Sequence, residues 1–394
     1  MAKILSVNSG SSTLKWRLFD MPSGEMLGKG LIDRMNEPTS VVTIQTKDDK
    51  KTYNAQSTDC GSLVADMLQQ LKAMHLITRL HEIVGVGHRV VAGGETFSDS
   101  VVVDQDVLVK INNLRNLAPL HNAAEASFMK TFTEVLPWAT EVAVFDSAFH
   151  HTLPEQNYLY GINYDYYRKY GVRKFGAHGT SVRYVSQRAA DFLGRDLKDL
   201  KMVVLHLGAG SSATAVVNGK SFDTSMGFTP LSGLMGSTRS GDIDVSLVNY
   251  LQNKLGVSSA DMIEKLNHES GLLGVSELSD DQRTLKTATD NHQAQLALQM
   301  YANDIVKYLG AYIAEMNGID VIVFAGGVGE NSNEMRAQIM SHFSYIGATI
   351  DEEKNKTNRQ EIDISAQDAT VRTLVIPTDE ELMIARDTYD LIDN

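Results

Sequence analysis

Hydrophobic and polar positions alternate over residues 4–8, break at Ser9-Gly10-Ser11-Ser12-Thr13, and resume with period two over 14–19 before a Pro22-Ser23-Gly24 turn. Two apolar runs around a small polar bend predict a β-hairpin. Gly10 lets the backbone approach an oxyanion, the hydroxyls of Ser9, Ser11, Ser12 and Thr13 are short-reach donors, and Lys15 adds a cation past the bend. The pattern returns in the second half of the chain, where 203–207 and 213–217 flank Gly208-Ala209-Gly210-Ser211-Ser212. A repeated Gly-Ser-Ser at equivalent places predicts two related domains that offer one hairpin each to a ligand in the cleft between them.

The remaining pattern alternates strands with helices. Residues 29–33 and a hairpin of 41–46 with 51–54 read as strands, and Leu63, Val64, Met67, Leu68, Leu71 and Met74 predict a helix over 61–76. A strand over 82–91 carries Arg89. Helices are expected over 104–117, capped by Asp104, and over 122–136. A strand over 141–145 then puts Asp146 at its carboxyl end, the edge where open α/β sheets bind ligands. In the second half a helix over 180–193, with Val182, Val185, Ala189 and Phe192 inside, starts just after His178. A helix over 292–316 is expected to bury Met300, Ile305, Tyr308, Leu309 and Tyr312. Strand 321–324 runs into the glycine segment 325–332, which opens another helix. Strand 373–376 leads to a terminal helix whose start reads as a Thr378/Glu381 capping box.

Length and charge narrow the class. At 394 residues and 43% hydrophobic the chain can fill two cores. With 49 acidic residues against 36 basic ones, a net charge of -13, it has no basic field for nucleic acid or an anionic membrane, so an anionic ligand must be held by a few local cations. Cys60 is the only cysteine, which excludes an internal disulfide and fits a reducing compartment. No apolar run approaches the ~20 residues of a membrane helix. Because Met1-Ala2-Lys3 leads straight into a core strand, with no signal peptide ahead of it, a cytoplasmic protein is expected.

Several residues then stand out as chemistry. Arg89, in an apolar segment beside glycines, needs a partner, either a structural carboxylate or a bound carboxylate or phosphate. Asp146 is a cap or a ligand. His178 is a cap or a donor to an anion at a helix start. Arg239 sits among small residues in a long loop rich in glycine and hydroxyls, the kind of segment that carries function. Glu380 suits the first turn of a helix, and spacing alone gives it no metal role.

Longer motifs resemble a known family. Asn-x-Gly-Ser-Ser-x-Leu-Lys at 8–15, Gly-His-Arg-Val-Val at 87–91, Ala-Pro-Leu-His-Asn at 118–122, Val-Phe-Asp-Ser-Ala-Phe-His at 144–150 and His-Gly-Thr-Ser at 178–181 look like those of the acetate kinase (acetokinase) family. So do Asp-Thr-Ser-Met-Gly-Phe-Thr-Pro-Leu at 223–231, Thr-Arg-Ser-Gly-Asp-Ile-Asp at 238–244, Gly-Glu-Asn-Ser at 329–332 and Ile-Pro-Thr-x-Glu-Glu at 376–381. The resemblance covers essentially the whole chain in order. It implies two duplicated ribonuclease-H-like domains of the actin-like ATPase fold with an interdomain cleft, one of 1–147 plus 380–394 and the other, nucleotide-binding, of 148–379. It also implies a homodimer. The implied reaction is reversible phosphorylation of acetate by ATP, giving acetyl phosphate and ADP, with Mg2+ or Mn2+ as cofactor.

Residue by residue, the resemblance gives Asn8 and Glu380 to the metal, and Asp146, His178 and Arg239 to catalysis. Arg89, Val91, Leu120, His121 and Pro230 fall to the acid. The nucleotide falls to Ser11, Thr13, Lys15, His206, Leu207, Gly208, Ala209, Gly210, Asp281, Gln282, Arg283, Gly327, Val328, Gly329, Glu330 and Asn331. The chain also departs from the family pattern. Ala177 stands where Phe is usual in the wall of the methyl pocket, so a propionate or other short-chain carboxylate kinase is the alternative. Ala209 replaces an Asn, Thr13 a Ser, Ser232 a Glu and Asp379 an Asn. A sugar kinase would want a hydroxyl-reading pocket in place of Val91, Leu120 and Pro230, and a nucleotide-gated binding module would not need Arg89, Asp146, His178 and Arg239 together.

Overall fold

The N-terminal alternation becomes an antiparallel meander of β1 (Ala2–Ser9), β2 (Leu14–Met21), β3 (Glu25–Asp33), β4 (Ser40–Thr46) and β5 (Lys50–Ala55). Two further strands, β6 (Ile83–Val90) and β8 (Thr140–Phe145), run parallel to β1, and short β7 (Val101–Val102) closes the edge in the order β5-β4-β3-β2-β1-β6-β8-β7. This computed structural model describes residues 2–10, 12–35, 37, 39–55, 59–116 and 122–392. The chain divides into two units, Met1–Phe149 with Asp379–Asn394, and His150–Thr378.

In the first unit, Leu5, Val7, Trp16 and Leu18 pack with Leu63, Val64, Met67, Leu68 and Leu71 of helix Cys60–Ala73. Each fully buried side chain of this kind contributes roughly 1.5–3 kcal/mol. Another cluster joins Ile4, Phe19 and Met21 to Ala385 of the terminal helix Glu380–Ile392. Two glycines of β6 admit that helix: a Cβ on Gly87 would lie 2.5 Å from Ile384, and one on Gly85 would lie 2.8 Å from Thr388. The helix therefore lies close over β1, β6 and β8, and its first residue, Glu380, comes beside Arg89 and Asp146 at their carboxyl ends.

The second unit repeats the plan with β9 (Lys201–Leu207), β10 (Ser211–Val217), β11 (Lys220–Thr224), β12 (Val321–Ala325), β13 (Ile362–Asp363) and β14 (Arg372–Val375), ordered β11-β10-β9-β12-β14-β13. In each unit three antiparallel strands continue into two parallel ones, β3-β2-β1-β6-β8 matching β11-β10-β9-β12-β14. This duplicated α/β topology is the ribonuclease-H-like, actin-type fold that the motifs imply. Helix His292–Glu315 fills the core with Tyr301, Ile305, Leu309 and Tyr312, against Leu205, Leu207 and Phe324. At Gly326, φ is +75° and a Cβ would stand 2.7 Å from the Leu207 carbonyl oxygen, so only glycine fits where β12 turns into a helix.

Four sequence expectations change. Met300 is 42% exposed; it lies five residues from Ile305, about 140° around the helix from it, and Tyr301 takes the core position instead. Phe192 keeps the helical phase of Val185 but is 40% exposed in the last turn, just before Gly194 ends its helix in the left-handed conformation. The helix expected over 104–117 is Gln105–Asn113 followed by a single 3-10 turn, Leu114–Asn116. The Thr378/Glu381 capping box does not form. The Thr378 hydroxyl pairs with Ser181 at 2.7 Å, Glu381 reaches Arg17 at 3.3 Å, and Asp379 caps the helix by accepting from the Leu382 N–H at 3.0 Å.

Candidate active site

The parallel strands of the first unit end together. Val7 of β1 lies opposite His88 of β6, and Arg89 lies opposite Val144 of β8, so Asn8, Arg89 and Asp146 all fall at the carboxyl end of the sheet. The Asp146 N–H donates to the Val90 carbonyl at 2.9 Å. Arg89 Nε donates to Asp146 Oδ2 at 3.0 Å, and Nη2 donates to the same oxygen. Asp146 is fully buried, and its Oδ1 has no hydrogen-bond partner. Arg89 is thus a salt-bridged arginine, and its pair stands where a ligand would bind.

Two more carboxylates surround the same guanidinium. Burial would lower the Arg89 pKa, but Asp146 and Glu380, with Glu125 behind them, reverse this and hold it raised. Burial pushes Glu125 up to about 8 against the pull of Arg89, and its Oε2 accepts from the Val91 N–H at 3.3 Å. Burial, then the Asp146 charge, raises Glu380 as well. Crowding three acids around one arginine holds Glu125 and Glu380 toward their neutral forms, and Asp146 Oδ1 is an orphaned oxygen. A divalent cation fits such a place. Among the described residues no cluster of three His, Cys, Asp or Glu forms a ligand cage. At the first hairpin, Gly10 N–H donates to the Thr13 carbonyl at 2.8 Å, and Asn8 is paired in register with the exposed Lys15. Ser11, Leu120 and His121 lie outside the described residues.

The second unit gathers the histidines and Arg239 at its glycine bend. A Cβ added to Gly210 would be 3.3 Å from both His178 Nε2 and Arg239 Nη1, so a side chain there would crowd these two groups. His178 precedes the first residue of helix Gly179–Leu193. Its ring stacks on His206 with centroids 4.2 Å apart, its Nδ1 pairs with Ser212 at 3.1 Å, and His206 Nδ1 pairs with Ser181 at 2.8 Å. These bonds orient both rings, and His178 Nε2 and Arg239 Nη1 both border the space over Gly210.

Beside the bend lies a cavity of about 530 Å3, lined by Gly208, Ala209, Asp281, Gln282, Arg283, Gly327, Val328 and Asn331 from the sequence candidates. That volume is in the range of small-molecule and cofactor sites. Ser237, Lys286 and Arg359 also line it and were not singled out from the sequence; a lysine or arginine on a helix or loop reads as an ordinary solvated charge until the fold turns it inward. Three further candidates also have structural contacts. Leu207 is a core residue, Gly329 is buried where its helix meets β12, and the Glu330 carboxylate accepts from the Gly326 N–H at 3.0 Å and the Thr378 N–H at 3.2 Å. Ala177 is buried, Pro230 is half-buried in the loop after β11, and Val91 is half-buried just past β6.

The model of the acetokinase family matches residues 3–386. The chain belongs to the acetokinase family. It is 55% identical to the acetate kinase of Lacticaseibacillus paracasei, over 99% of this chain and 100% of that one, and 47% identical to the acetate kinase of Bacillus subtilis over the same shares. Among solved structures, the Porphyromonas gingivalis acetate kinase has a TM-score of 0.95 at 40% identity, with both chains covered in full. A propionate kinase from Francisella tularensis has a TM-score of 0.92 at 38% identity, over 99% of this chain and 100% of that one. As an acetokinase, the chain is a phosphotransferase that uses ATP and ADP as co-substrates.

Proposed function

We propose that the protein is an acetate kinase, moving the γ-phosphoryl of ATP to acetate by direct in-line transfer, reversibly, to give acetyl phosphate and ADP. The full-length match to acetate kinases carries this reading. The Arg89–Asp146 pair is its chemical support in the first unit, and the cavity at the glycine bend is its support in the second.

In this reading Arg89 orients the acid carboxylate, with Val91, Leu120, His121 and Pro230 about its methyl group. Acetate is already ionised at neutral pH, so Asp146 orients rather than deprotonates. The nucleotide lies in the cavity, its phosphates toward Gly208–Gly210, and Lys15, Ser11 and Thr13 are the first-hairpin residues assigned to it. His178 and Arg239 stabilise the charge spread over the equatorial oxygens of the moving phosphoryl, and the planar fork of Arg239 suits this task better than a lysine. Asn8 and Glu380 would hold Mg2+, for which Mn2+ is the substitute; the ion neutralises phosphate charge during transfer.

The compartment that supplies ATP is the cytoplasm, and we place the protein there. We further propose a homodimer: helix Val245–Leu255 leaves Val245 79% and Tyr250 57% exposed, with Leu247 and Leu255 also exposed around it, apolar surface of the kind a second copy covers. Hydroxylamine trapping tests the reaction: ATP, Mg2+ and acetate must give acetyl hydroxamate, and a chain that traps none is not an acyl kinase. Ala177 favours a second reading, a propionate or short-chain carboxylate kinase, and propionate in the same assay decides it.

A further inference from the structure

We infer that one face of helix His292–Glu315 is a positioning ridge for Arg239, with Tyr301, Asp304 and Tyr308 fastening the glycine bend and both ends of the loop that carries this arginine. The three residues stand at i, i+3 and i+7, and so share one side of a rigid element. The Tyr301 and Ser211 hydroxyls pair at 2.8 Å, and Ser211 also donates to the Gly208 carbonyl at 3.2 Å, which ties the bend between β9 and β10. Asp304 Oδ2 accepts from the Met235 N–H at 2.8 Å, near the start of the loop. The Tyr308 hydroxyl donates to Asp242 Oδ2, at its end.

Asp242 then closes the loop on itself. Its Oδ1 accepts from the Gly233 N–H at 2.8 Å, and its own N–H donates to the Gly233 carbonyl at 2.9 Å. Inside this ring the Gly236 N–H donates to the Arg239 carbonyl at 3.0 Å, a tight turn that presents the side chain. Gly233 and Gly241 have φ of +95° and +69°, so the segment is loose by composition and its shape depends on outside fasteners. Burial raises the Asp304 carboxyl, and the Met235 N–H offsets this. A misplacement of about 1 Å in a group that meets a transition state costs on the order of a hundredfold. The middle of the loop is bonded elsewhere, Ser240 N–H donating to the Leu266 carbonyl at 2.9 Å and the Thr238 hydroxyl to the Asn267 carbonyl at 2.7 Å, and the long core helix guards the two ends against such drift.

The inference rests on the phosphoryl-transfer reading for its kinetic arm only. In the full chain, Asp304→Ala and Tyr308→Phe should each lower kcat about tenfold with the KM for ATP unchanged, the effect of one lost fastening hydrogen bond. Neither should lower kcat further in an Arg239→Ala background. Asp304→Asn, which keeps an acceptor oxygen for Met235, should retain most of the wild-type rate. Hydrogen exchange supplies an arm independent of activity: amides of residues 233–242 should exchange faster in Asp304→Ala and in Tyr308→Phe. The inference is overturned if the losses add in full to that of Arg239→Ala, or if the exchange rates stay at the wild-type level. A wild-type chain that traps no hydroxamate overturns the functional reading, while exchange still decides the ridge. Should Asp304→Ala fail to fold, Tyr308→Phe, which removes only a hydroxyl, decides both arms.

Discussion

Arg89 directs two guanidinium nitrogens at one oxygen of Asp146, Oδ2, and leaves Oδ1 of the same carboxylate buried with no partner. A pair built only for stability would satisfy both oxygens in the bidentate way. This arrangement stabilises the fold and also keeps an acceptor in reserve.

Asp146→Asn should therefore harm stability and activity together. Breaking a buried pair leaves an uncompensated charge and costs roughly 3–5 kcal/mol; Glu380 remains beside Arg89 to offset part of it, so the loss should fall near the lower figure. Denaturant unfolding measures it, and kcat should fall at least a hundredfold if Asp146 orients the acid. An unchanged unfolding midpoint would reject the stabilising role.

Glu125 makes stability depend on pH. Its folded pKa, about 8 through burial, lies above its ordinary value, so the native state holds this proton more tightly than the unfolded chain does. The contribution is complete below the unfolded pKa and is lost as pH rises through about 8, at most about 5 kcal/mol in all. Glu125→Gln carries no such proton and should flatten the decline between about pH 4.5 and pH 8. Equal slopes for the two proteins would contradict the assignment.

Ala177→Phe restores the aromatic usual in the family. It should raise the preference for acetate over propionate, in kcat/KM, by about 10- to 100-fold, the scale of one methylene in a closed pocket. Steady-state rates on both acids give the ratio directly. An unaltered ratio would remove this position from size selection.

Lys286 lines the cavity and pairs with Glu334 at 2.6 Å. Because that ion pair is exposed, Lys286→Ala should change stability by less than about 1 kcal/mol, yet raise the KM for ATP about tenfold with kcat unchanged, as loss of uniform binding does. A fall in kcat without a change in KM would place Lys286 in the chemistry instead.

Much of the fold was legible because its signals are local. Alternation around the two Gly-Ser-Ser bends predicted both hairpins, helical spacing predicted Cys60–Ala73 and His292–Glu315, and the motifs singled out Arg89, Asp146, His178 and Arg239. Where periodicity met a helix end or a competing partner it failed: Phe192 runs past its cover, and Thr378 bonds Ser181 in place of its own helix. Of the cavity beside the second bend, the glycine positions were readable and Lys286, Ser237 and Arg359 were not, since a single charged or hydroxyl residue has no periodic signature.

The order of side chains along the chain by itself determined the strand-bend-strand units, their repetition and the residue types available for phosphate and carboxylate chemistry, because these depend on neighbours a few positions apart. Only the tertiary structure decided that three carboxylates from different elements crowd Arg89, that Gly210 borders both His178 and Arg239, and that one helix fastens both ends of the loop that carries Arg239. Such relations join residues remote in sequence, and their energies follow from burial and distance, which do not exist until the chain has packed.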